Sequence, residues 1–134
     1  MVFGTFDVLH PGHEYFLKES KKHGDELIVV IARDLTVKEI KGKLPLNNEL
    51  KRLNAVKKLK YVDKALLGNL RDKYRIIEDI KPDVICLGYD QNSFTANLKN
   101  ELKKRALLID IYRILPYRKD KFKSSKLKWI YFYL

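Results

Sequence analysis

Two histidines stand three residues apart, His10 and His13, split by Pro11 and Gly12. They follow a short apolar run and precede an amphipathic stretch. On a strand–loop–helix path this spacing puts both imidazoles at the mouth of a helix. Backbone N–H groups and the helix dipole already favour an anion there. The corner therefore suits a polyphosphate, which two rings around the first helical turn can reach together. A lone histidine would read as a cap or a surface residue. The ten-residue string over 4–13, Gly-Thr-Phe-Asp-Val-Leu-His-Pro-Gly-His, makes that bland reading the weaker one.

The elements that must carry this corner follow from the pattern around it. Residues 1–6 are mostly apolar and β-prone, and Gly4 is expected to leave room for a ligand against the backbone. Pro11 and Gly12 end the strand and set the turn into a helix. Phe16, Leu17 and Ser20 then recur at helical spacing, and Gly24 stops the run. Residues 27–32 form a continuous apolar stretch, as a strand buried on both faces requires. Leu50, Leu53, Val56 and Leu59 predict a helix over 47–59. A short strand follows at 65–67, then a helix over 70–80 ended by Pro82, and a buried strand over 83–88. A helix over 95–106 and a strand over 107–115 come next. A last helix is expected from Ser124, with Trp129, Tyr131, Phe132 and Tyr133 as its aromatic surface. Strands alternating with helices mean a parallel sheet covered on both sides. The expected fold is α/β, a Rossmann-like three-layer sandwich with a five-stranded parallel sheet, as one domain over 1–134. Ligands of such sheets sit at strand carboxyl ends near the topological switch point. The histidine string, Arg33-Asp34 and the segment Gly88-Tyr89-Asp90-Gln91 all fall at such ends.

Composition narrows the function classes. The chain has 134 residues, 46% hydrophobic, and no stretch of eighteen apolar residues, which argues against a membrane span. No signal-peptide pattern opens it, and a cytoplasmic location is expected. Met1 stands only three residues ahead of Gly4, so the first strand is short. The single cysteine, Cys86, lies in an apolar strand and reads as core in a reducing compartment. The net charge of +11 fits attraction of anionic substrates and also a lysine-rich solvated surface. No RNA-binding signature accompanies it, which disfavours nucleic acid.

The string over 4–13 resembles the signature of the HxGH nucleotidyltransferase superfamily, the cytidylyltransferase-like proteins. The run over 18–34 and the string Leu87-Gly88-Tyr89-Asp90-Gln91 make it most similar to archaeal FAD synthases, over almost the whole chain. The resemblance implies that His10 and His13 contact phosphates in the transition state. It implies ATP contacts for Gly4, Thr5, Phe6 and Asp90 as well. Ser124, Ser125 and Lys126 match the family's second signature, a hydroxyl-rich helix N-terminus that holds the triphosphate. Lys123 departs from that pattern, standing where a small hydroxyl residue is usual. Asp7, Lys43, Arg52 and Arg118 are implied on the acceptor side, with Lys41-Gly42-Lys43 in a loop before Pro45. Arg118 aligns only with a one-residue gap.

The activity so implied is transfer of AMP from ATP to FMN, giving FAD and pyrophosphate. A divalent cation, Mg²⁺, is expected to bridge substrate phosphates, with no carboxylate cage of its own. Glycerol-3-phosphate cytidylyltransferase and heptose-phosphate adenylyltransferase are the alternatives within the class. A noncatalytic nucleotide- or nucleic-acid-binding module is the alternative outside it. Relatives are often dimers, so a homodimer is expected.

Overall fold

The computed structural model describes residues 1–89, 91 and 95–117. The expected elements at 118–134, and with them the last helix, lie outside the described residues.

Among the described residues five short parallel strands are interleaved with five helices. They are β1 (Val2–Gly4), α1 (Pro11–Lys21), β2 (Ile28–Ile31), α2 (Asp34–Lys41) and α3 (Glu49–Lys57). β3 (Lys64–Leu67), α4 (Arg75–Ile80), β4 (Val84–Leu87), α5 (Leu98–Lys104) and β5 (Asp110–Arg113) complete the order. A single 3₁₀ turn at Thr95–Asn97 leads into α5. The period-2 geometry of a strand divides the apolar residues between two faces. Val29 and Ile31 of β2 join Phe16 and Leu17 of α1 and Val56 of α3 on one side. Val30, between them, joins Ile76 and Ile77 of α4 and Leu98 and Leu102 of α5 on the other. Helices thus cover both faces, which is why β2 and β4 read as unbroken apolar runs. Cys86 is buried in the first of these clusters, as its apolar surroundings predict.

The expected continuous five-stranded sheet is corrected. β1, β2 and β3 form one parallel sheet and β4 with β5 a second. The seam has a physical cause. β1 is three residues long, and it meets β4 through Met1, one residue ahead of the strand proper. The Met1 amine donates to Val84 O at 2.8 Å, and Cys86 N donates to Met1 O at 3.0 Å. Further along, the Gln91 amide enters the seam. Its Oε1 accepts from Gly88 N at 2.7 Å and its Nε2 donates to Phe3 O at 2.9 Å. A side chain therefore links the two backbones there. The chain passes from β3 to β4 across β1 and β2, so the seam is also the topological switch point.

α2 is an element that the sequence pattern did not predict. Only Val37 of its eight residues is buried, so it carries no recurring apolar stripe. Lys41, expected in a loop, is its last residue. Gly42 caps it in the left-handed region at φ 79°, a conformation glycine adopts without steric cost. α4 also starts later than the pattern over 70–80 predicts, because Asp72 Oδ1 accepts from Tyr74 N and organises a turn first.

Candidate active site

The carboxyl ends of the strands are laced together by backbone and arginine contacts. Ala32 N donates to Gly4 O at 3.0 Å and Gly68 N to Ile31 O at 2.9 Å, extending the first sheet by one bond on each side. Arg33 continues from β2 and donates to Gly68 O at 2.8 Å and to Glu49 Oε2 at 3.0 Å. Glu49 Oε1 accepts from Asp34 N at 3.0 Å, so the first residue of α3 satisfies the open N-terminus of α2. On the second sheet, Arg113 donates to Gly88 O and Tyr89 O.

His10 and His13 come together at this edge, but not side by side. His10 is the N-cap of α1, with extended backbone, and its Nδ1 accepts from Gly12 N at 3.2 Å. Accepting that bond requires an unprotonated Nδ1, so the neutral ring carries its proton on Nε2. Partial burial also pushes the His10 pKa below its ordinary value of 6.5. His13 stacks behind it, with ring centroids 3.8 Å apart at 26°. The two rings expected to reach one phosphate together are thus unequally buried. His10 is half-buried, whereas His13 has no exposed surface and packs edge-on against Phe6 at 5.4 Å. The cause is Pro11 at the first helical position, which starts α1 early enough to bury Gly12 and His13 in its first turn.

A Cβ at Gly4 would stand 2.5 Å from Cε2 of Phe6, so the Phe6 ring occupies the space that a side chain there would need. Phe6 is fully buried and has φ 51°, the left-handed region that non-glycine residues avoid. Backbone strain of this kind gathers where surrounding structure holds a functional turn. Gly4, Phe6, His13 and His10 are thus a continuous stack running from the end of β1 to the helix mouth.

Asp7 and Arg52, expected on the acceptor side, both direct polar atoms at the protein. Asp7 is buried, and its carboxylate accepts from Leu46 N at 2.7 Å and Asn47 N at 2.8 Å. Asn47 Nδ2 returns a bond to Asp7 O at 2.6 Å. The Arg52 side chain has no exposed surface and pairs with Asp34 Oδ1 at 2.7 Å. It donates besides to Asn47 O, Thr5 O and Ala32 O at 2.7–2.9 Å. Four of its five N–H donors therefore point at protein acceptors. Arg52 fastens the histidine string, the end of β2 and the 42–48 loop to one another. Thr5, whose carbonyl it holds, is likewise buried. Lys43, in contrast, is exposed on the loop that Asp7 pins in place. Asp90, Arg118, Ser124, Ser125 and Lys126 lie outside the described residues.

Sequence reasoning missed Asn47 and the bridging role of Gln91. Asn47 sits where a helix was expected to begin, and asparagine ahead of a helix is commonly a cap. The cap of α3 is in fact Asn48, whose Oδ1 accepts from Lys51 N at 2.9 Å. Among the described residues no group of three His, Cys, Asp or Glu could hold a metal ion.

The comparisons with known proteins match this geometry to a family. The cytidylyltransferase-like family model matches residues 1–129. FAD synthase of Aciduliprofundum boonei is 45% identical over 117 residues, covering 87% of this chain and 78% of that protein. FAD synthase of Thermoplasma volcanium is 46% identical and that of Thermococcus sibiricus 43%, over 87% and 92% of this chain and 82% and 85% of theirs. A crystal structure titled as the lipopolysaccharide core biosynthesis protein from Thermoplasma volcanium superposes with a TM-score of 0.83. It is 46% identical and covers 88% of this chain and 96% of its own. With the stacked histidine pair at the mouth of α1, the chain belongs to the cytidylyltransferase-like family of nucleotidyltransferases.

Proposed function

We propose that the chain is an FMN adenylyltransferase, an FAD synthase acting on ATP and FMN. The observation that carries this reading is the His10–His13 stack capping α1 in a chain 43–46% identical to three FAD synthases. A phosphate oxygen of FMN attacks the α-phosphorus of ATP in line. The bond to the bridging oxygen breaks, and pyrophosphate leaves with the electron pair. No protein nucleophile is needed, so catalysis is positioning and stabilisation of charge developing on phosphate oxygens. His10 donates from Nε2 to the α-phosphate, and the first N–H groups of α1 add their dipole. His13 supports that ring from behind. Lys43 offers its ammonium to the acceptor phosphate, and Asp7 holds the loop that carries it. Arg52 acts by positioning rather than by touching a ligand. Asp90 addresses the nucleoside, and Ser124, Ser125 and Lys126 hold the β- and γ-phosphates, with Arg118 beside them. These last roles rest on the likeness of their motifs to the family's. Mg²⁺ enters as part of the ATP substrate.

The same reading makes the chain a single cytoplasmic domain that pairs as a homodimer. Among the described residues no helix is long and apolar enough to cross a membrane. The name of the Thermoplasma volcanium crystal structure points to a different biosynthesis and keeps a sugar-phosphate acceptor as the second reading. Pyrophosphate release decides between them. It is expected with ATP plus FMN and not with CTP plus glycerol 3-phosphate or ATP plus a heptose phosphate. His10→Ala should cut turnover by about 10²–10³-fold, the usual cost of one transition-state donor, without altering the fold. Release with another pair alone, or unchanged turnover in the variant, would overturn this reading.

A further inference from the structure

The stretch beside the histidine string carries large apolar side chains in water. Leu46 is 81% exposed, Leu44 56% and Leu50 60%, and Val8 within the string is 38% exposed. Single exposed leucines are ordinary, but a group gathered on one short stretch marks a binding surface. Its position is fixed by the string itself. Asp7 accepts from the backbone of Leu46 and Asn47, so Val8 lies one residue from the anchor on one side and Leu46 at the anchor on the other. Lys43, exposed, stands next to Leu44 on the same loop. The arrangement pairs a cation with an adjoining apolar surface.

We infer that Leu44, Leu46 and Leu50, with Val8, form a platform for the isoalloxazine ring of FMN while Lys43 meets its phosphate. The inference rests on the FMN reading above and extends it to residues that specify the acceptor. FMN has the matching chemistry, a flat, largely apolar tricycle joined by a ribityl chain to a dianionic phosphate. Pinning by Asp7 matters because a rigid loop loses less entropy when a ligand seats on it. Glycerol 3-phosphate carries the phosphate without the ring and would gain nothing from the leucines. The platform is thus a device for choosing among acceptors.

Flavin fluorescence quenching on the full chain reads FMN binding without turnover, and initial rates of FAD formation read KM. Leu46→Ser should weaken FMN binding and raise its KM about tenfold, equivalent to about 1.4 kcal/mol. The KM for ATP should stay the same, because only the acceptor seats on the loop. Leu46→Phe, which restores an apolar face, should return both values to within about twofold of the parent. Unchanged FMN binding in Leu46→Ser would overturn the platform. So would a Leu46→Ser protein that changes oligomeric state while keeping its FMN affinity, which would assign the leucines to a second copy. A parent chain that binds FMN with the predicted Leu46 dependence but makes no FAD would refute the activity and leave the platform standing.

Discussion

Arg52→Lys separates a strut from a ligand holder. Lysine keeps the positive charge but has one ammonium with three donors, where the guanidinium spans four acceptors. Those acceptors are Asn47 O, Thr5 O, Ala32 O and Asp34 Oδ1, at 2.7–2.9 Å. They belong to three separate segments, so a point charge cannot reach them all. A fully buried acceptor left without a donor costs about 1–3 kcal/mol, and of these the Thr5 carbonyl is buried while the others are partly so. Losing two of them gives a destabilisation of about 3 kcal/mol. Removing the charge outright with Arg52→Ala would approach the 3–5 kcal/mol of a broken buried pair, about a third of a typical domain's stability. For a chain of this size 3 kcal/mol lowers Tm by about 10 °C. Circular dichroism melts of parent and variant measure that shift, and initial-rate kinetics below both transitions measure the activity. Loosening of the histidine string should lower kcat with little change in the KM for FMN. A variant whose Tm stays within about 2 °C of the parent while its KM for FMN rises tenfold would refute the strut. It would show a guanidinium that binds acceptor.

Two further outcomes follow from the same corner. Gly4→Ala forces a methyl against the Phe6 ring, which is fully buried and cannot swing away, and should cost about 1–3 kcal/mol of overpacking, read as a Tm lower by several degrees. A neutral Gly4→Ala would mean that Phe6 repacks freely. His10 should make stability depend on pH. Burial holds its folded pKa below 6.5, so over the interval between the two values the unfolded chain binds more protons. Stability is then fully present above pH 6.5 and falls as pH drops through 6.5 toward the folded value. His10→Asn keeps a capping acceptor but removes the titration, and should flatten the decline of Tm between pH 7.5 and 5.5. Parallel curves for the two proteins would exclude His10 as the origin.

Another part of the fold shows how a local motif acquires a tertiary purpose. Tyr61-Val62-Asp63 follows α3 and carries no evident chemistry. Asp63 Oδ2 accepts from Leu27 N at 2.7 Å and pairs with Lys21, which ties the entry of β2 to the end of α1. Those bonds draw the Asp63 carboxyl below its usual range. Nearby, the half-buried Tyr61 hydroxyl is pushed up to about 12, chiefly by desolvation. The segment is a staple behind the site, on elements that the site needs held still.

The alternation of strands and helices was legible in the sequence because apolar spacing depends on neighbours a few residues away. The buried strands at 28–31 and 84–87 and the helix mouth at His10 follow from that local logic, with Pro11 and Gly12 fixing the turn. The family resemblance was legible for the same reason, since the string over 4–13 is contiguous. Only the tertiary structure decided what each polar residue of that string serves. Asp7 meets a backbone about forty residues away, and Arg52 joins three segments that only the fold brings together. The seam between the two sheets was likewise beyond reach, because it depends on Met1 reaching β4 and on the Gln91 amide reaching Phe3 across the molecule. So was the order of the histidine stack. Spacing places two rings on one turn, but only the packed structure, with Pro11 starting α1 and His13 closed in between His10 and Phe6, decides that His10 is the outer one.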